Sequence, residues 1–83
     1  MNMHPDEIKR LIEAGIPDTH AFVTGDGYKY EATVVSPAFE GLSMVKEQQM
    51  VYATLNTQIT SGALHALTIK AYTPAEWAAL QQQ

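Results

Sequence analysis

Cysteine is absent from the 83 residues. No disulfide can staple the chain, and no thiolate is available as a nucleophile or a metal ligand. Positive charge is scarce too. Five basic residues (Lys9, Arg10, Lys29, Lys46 and Lys70) stand against nine acidic ones, and the net charge is −4. Nucleic-acid binders usually gather positive charge on one face. This balance therefore counts against an extended nucleic-acid footprint, though not against a small basic patch. The glycines Gly15, Gly25, Gly27, Gly41 and Gly62 include no pair three apart, so a Gly-x-x-Gly clamp on a nucleic-acid backbone is missing. No run of about 18 apolar residues occurs, and no membrane span is expected. The segment from Met1 to Glu7 is polar and acidic, unlike the basic start and apolar stretch of a secretory signal; the expected location is the cytoplasm. Glycine-rich phosphate loops and paired carboxylates at motif spacing are lacking as well. Ser36 and Ser43 sit at helix starts, where capping explains them. Asp6, Glu7 and Glu76 sit where helix dipoles favour carboxylates. No enzyme chemistry is expected.

What is present describes a folded domain. Hydrophobic residues make up 46% and charged residues 17%, which argues against disorder. The length suits a single domain over residues 1–83, with a core from about 5 to 80 and a frayed tail at Gln81, Gln82 and Gln83. A core of this size is thin and leaves little room for an enclosed cavity.

The first expected helix runs from Pro5 to Ala14, with Ile8, Leu11 and Ile12 as its apolar stripe and Gly15 as a left-handed cap. His4 is expected at the surface. A hairpin follows: Ala21–Thr24 and Tyr28–Val35 flank Gly25-Asp26-Gly27, a strong turn signal. Ser36-Pro37 starts a short helical turn through Phe39 that ends at Gly41. Ser43 caps a longer helix from Met44 to Thr60. Its apolar arc joins Met44, Val45, Val51, Tyr52, Leu55 and Ile59 and leaves Met50 solvent-exposed. A third strand spans Leu64 to Tyr72, with His65, Leu67, Ile69 and Ala71 on one face. Thr73-Pro74-Ala75-Glu76 is a capping box opening a last short helix packed by Trp77. The order α-β-β-α-α-β-α predicts an α/β (α+β) fold: a three-stranded mixed sheet with helices mainly on one face.

Five stretches stand together in order: Val23-Thr24-Gly25-Asp26-Gly27, Val34 through Ser43, Val51-Tyr52-x-x-Leu55, Leu64-His65-Ala66-Leu67, and Tyr72-Thr73-Pro74-Ala75-Glu76-Trp77. This ordered set resembles the BolA family over about residues 5 to 80. The Val45–Gln49 and Lys70–Trp77 runs look most like its short Gram-negative paralogues. The resemblance implies a fold similar to a type II KH domain. It also implies an adaptor that pairs with a monothiol glutaredoxin and holds with it a bridging [2Fe-2S] cluster, in iron–sulfur assembly, trafficking or iron and stress sensing. Some bacterial members are described as transcriptional regulators.

By the same resemblance His65 matches the family's histidine ligand. An isolated histidine at a strand end is more often inert, so the family match is what makes it the leading candidate. Lys29 stands where many members have a second ligand, and a protonated lysine ligates no iron. His20 is the substitute candidate. A bridging cluster needs four ligands, and a chain without cysteine cannot supply them. The sulfur ligands are therefore expected from the partner and from glutathione, and no cofactor is expected on the isolated chain. The expected partner surface comprises Gly25, Asp26, Gly27, Tyr28, Lys29, Tyr72, Thr73 and Pro74, with Tyr72 near His65. Two other readings stay open. One is a DNA-binding regulator using the Pro37–Thr60 region, with Lys46 and Lys70 on phosphates; the other is a protein–protein module without metal. A homodimer is compatible with either.

Overall fold

A computed structural model describes residues 3–82. Met1, Asn2 and Gln83, which belong to the expected polar start and frayed tail, lie outside the described residues. Helix α1 runs Pro5–Gly15. His4 is exposed as expected and is also the helix cap: its side chain accepts the Asp6 N–H, while the Glu7 carboxylate accepts the His4 N–H at 3.1 Å. Gly15 is not a left-handed cap. It is the last helical residue, and extended Ile16 (φ −129°) closes the helix.

Strand β1 (His20–Gly25) pairs antiparallel with β2 (Lys29–Val35), and β2 pairs parallel with β3 (Ala66–Tyr72); the sheet order is β1-β2-β3. Alternation sends Ala21, Val23, Tyr30, Ala32, Val34, Leu67, Ile69 and Ala71 to one face. That face meets Ile8 and Ile12 of α1, Phe39, Val51 and Leu55 to form the core. The other face carries Phe22, Thr24, Glu31, Thr33, Thr68 and Lys70.

The expected helix from Met44 to Thr60 is two: α2 (Met44–Thr54) and α3 (Asn56–Thr60), separated at Leu55 (φ −117°, ψ 13°). The cause is local. The Thr54 hydroxyl donates to the Val51 carbonyl at 2.7 Å, and the Leu55 N–H turns instead to Tyr52 O. A threonine hydroxyl that bonds back to a helix carbonyl slightly destabilises the helix and often bends it there.

The buried side of α2 also differs from the expected arc. Met50 is half-buried against the core, whereas Met44 and Val45 are 76% and 64% exposed. Two hydrogen bonds explain this orientation. Gln48 Nε2 donates to Ile69 O at 3.0 Å and the Tyr52 hydroxyl to Leu67 O at 3.2 Å. These carbonyls lie on the outer edge of β3, and satisfying them turns Gln48 and Tyr52, rather than an apolar stripe, towards the strand.

Helix α4 (Pro74–Gln81) begins with the Thr73/Glu76 capping box and takes in Gln81, which is helical rather than frayed. Trp77 is not core. Its ring stacks on Phe22 at 5.6 Å and tilts against Tyr72 at 5.7 Å, on the face away from α1 and α2. Among the described residues no helix is long and apolar enough to cross a membrane.

Candidate functional site

The β1–β2 turn is built around one carboxylate. Asp26 Oδ1 accepts the N–H of Tyr28 at 2.9 Å and of Lys29 at 2.8 Å, and its own N–H donates to Lys29 O. Gly27 supplies the positive φ of 98° that the turn requires. Two N–H donors, Lys29 before Tyr28, hold the Asp26 carboxyl below its ordinary range. An ionised Asp26 fixes the backbone at Tyr28 and Lys29.

The parallel register then brings the turn to His65. Lys29 is the partner of Ala66, so Tyr28 and His65 both sit one residue before the paired strands. Ala66 N–H donates to Tyr28 O at 3.2 Å. The Tyr28 and His65 rings stack at a centroid distance of 5.1 Å and an angle of 21°. Both side chains are exposed. Among the described residues the hydrogen bonds of this region end on Asp26 and on backbone groups, and none involves the His65 ring. Leu64, buried beside it, has its N–H on Gln58 O, which anchors the segment from the α3 side.

The structure thus gathers Gly25, Asp26, Gly27, Tyr28, Lys29 and His65 at one end of the sheet. It does not bring the other candidates there. His20 pairs with Val35, and Val35 with Tyr72. His20, Tyr72, Thr73 and Pro74 therefore belong to the opposite end, six strand positions or about 20 Å away. His20 cannot share an ion with His65, and Tyr72 is not its neighbour. Lys70 points across the open face to Glu31, Nζ to Oε1 3.5 Å. Lys46 is exposed in the first turn of α2, near the end of β3 remote from His65. Glu47 beside it is half-buried; burial first, and the Glu76 charge second, push its carboxyl above the ordinary range. Glu47 lines the groove beside Lys70 and Tyr72, and its carboxylate opposes an anion there.

Among the described residues no three His, Asp or Glu side chains converge as a metal site. At the sheet end the Asp26 carboxylate is engaged by the turn's own N–H groups, and the nitrogen donor there is the one exposed imidazole of His65. It fits a single ligand position of a cluster whose remaining ligands come from elsewhere. The Tyr28–His65 contact depends on the parallel register of strands separated by two helices, and local pattern carries no trace of it.

Comparison with known proteins agrees with this architecture. The family model described as BolA-like protein matches residues 11–76. The acid stress protein IbaG of Escherichia coli is 41% identical over 76 residues, covering 92% of this chain and 90% of that one. The structure of a bolA protein homologue from Coxiella burnetii superposes with a TM-score of 0.84 at 35% identity, covering 92% of this chain and 97% of that chain. The BolA domain of SufE1 from Arabidopsis thaliana gives 0.70 at 30% identity, covering 92% and 98%. The chain belongs to the BolA family.

Proposed function

We propose that this protein is a cytoplasmic adaptor, not an enzyme, that binds a monothiol glutaredoxin and contributes His65 as its one ligand to a shared [2Fe-2S] cluster. The observation that carries the reading is the exposed His65 imidazole held at the rim of the sheet by a turn clamped through Asp26. A neutral imidazole is a good iron ligand, and histidine in place of thiolate raises the cluster's potential. With no cysteine in the chain, the partner and glutathione supply the sulfur ligands. The likeness to an acid stress protein supports a stress-linked setting for this work. The regulator reading draws less support, because Lys70 faces Glu31 and Lys46 lies beside Glu47.

The test is reconstitution of iron and sulfide with this protein, a monothiol glutaredoxin and glutathione. Visible absorption and circular dichroism of wild type and His65→Ala are then compared. A changed spectrum is expected for the variant, and matching spectra overturn the assignment.

A further inference from the structure

A histidine that ligates a metal is ordinarily oriented by its second ring nitrogen, which donates to a carboxylate, a carbonyl or a water. No protein carboxylate or carbonyl among the described residues is hydrogen-bonded to the His65 ring. What it has is the face of Tyr28, at 5.1 Å and 21°. We propose that Tyr28 is the positioning residue for His65: its ring sets by stacking the imidazole plane that a hydrogen bond sets elsewhere. The inference rests on the reading of His65 as the cluster ligand.

Three features support it. Tyr28 is 60% exposed, so core packing does not account for a large aromatic at this position. Its backbone is held on both sides, by Asp26 at the N–H and by Ala66 at the carbonyl, so the ring is delivered from a fixed base. An offset or parallel stack covers one face of an imidazole and leaves the ring edge, where both nitrogens lie, open to a partner. Orientation of this kind matters most for a ligand on an exposed strand end, where rotamer freedom is otherwise large.

The experiment uses the full chain in two states. Without cluster, nuclear magnetic resonance of the His65 ring protons reads the stack through ring-current shifts and cross-ring contacts. With cluster, the lifetime of the heterocomplex is followed by circular dichroism. Tyr28→Phe is expected to keep both signals. Tyr28→Ala is expected to move the His65 ring protons to free-imidazole positions, leave the rest of the spectrum in place, and shorten cluster lifetime about tenfold, the low end for loss of an orienting contact. Unchanged His65 ring shifts or an unchanged lifetime in Tyr28→Ala overturns the proposal. His65→Ala separates the two levels. If it alters the cluster while Tyr28→Ala does not, only the role of Tyr28 falls; if it leaves the cluster unaltered, both readings fall.

Discussion

Gly15 of α1 lies against Thr54 of α2 so closely that a Cβ at position 15 would stand 2.6 Å from Thr54 Cγ2. Gly15 is helical, with no positive φ, so it is the approach of the two helices that requires glycine. Gly15→Ala gains about 1 kcal/mol of helix propensity. It is nonetheless expected to lower stability by about 1–2 kcal/mol net, because the helices must separate. Adding Thr54→Ser removes the obstructing methyl and keeps the hydroxyl, and should restore most of the loss. Urea unfolding of the single and double variants decides it.

Ser36 is fully buried, accepts the Ala38 N–H as the cap of the Pro37–Phe39 turn, and is bonded to the Thr19 hydroxyl at 2.8 Å. Ser36→Ala removes the cap acceptor and leaves the Thr19 hydroxyl with the Pro17 carbonyl, 3.0 Å away, as its one remaining side-chain partner. The expected cost is about 1–3 kcal/mol, seen as a drop of several degrees or more in Tm.

Glu13 takes a hydrogen bond from Lys9 first and from the Ala21 N–H second, and both hold its carboxyl below the ordinary 4.5. A carboxylate depressed in the folded state stabilises the protein above its unfolded pKa. That contribution is lost as pH falls through the folded value. Lys9 is 43% exposed, so screening leaves only about 0.5 kcal/mol at neutral pH. Glu13→Gln should cost this amount at pH 7 and nothing near pH 2, by denaturant titration at each pH.

Glu47 shifts the other way, raised by burial and then by Glu76. Its ionised form is penalised in the fold, a cost that is absent below the ordinary 4.5 and complete above the raised folded value. The stability of Glu47→Gln relative to wild type should therefore rise by a few tenths of a kcal/mol between about pH 3.5 and pH 7. A flat difference across that range would contradict the assignment.

Much of the fold was legible because its signals are local. The Thr73/Glu76 box, the Ser36 and Ser43 caps and the Gly25-Asp26-Gly27 turn each declare themselves within four residues. The break at Leu55 was not, since Thr54 is an ordinary helix residue until its hydroxyl takes the Val51 carbonyl. The exposure of Val45 and the half-burial of Met50 were likewise hidden, because Gln48 and Tyr52 answer to carbonyls on β3. At the candidate site, His65 and the glycine turn stood out by residue type. Their contact, and the distance of His20 and Tyr72 from them, follow from strand register, and register is a property of the assembled sheet.

Both long edges of the sheet are occupied by side chains. Lys9 and Glu13 hold the carbonyl and N–H of Ala21 on β1, and Gln48 and Tyr52 hold the carbonyls of Ile69 and Leu67 on β3. An incoming strand would have to displace these clamps before it could extend the ladder. Growth by strand addition, whether by a partner or by runaway self-association, is therefore obstructed at those positions. Among the described residues, the end of the sheet where Tyr28 and His65 stand carries no such clamp on its side chains.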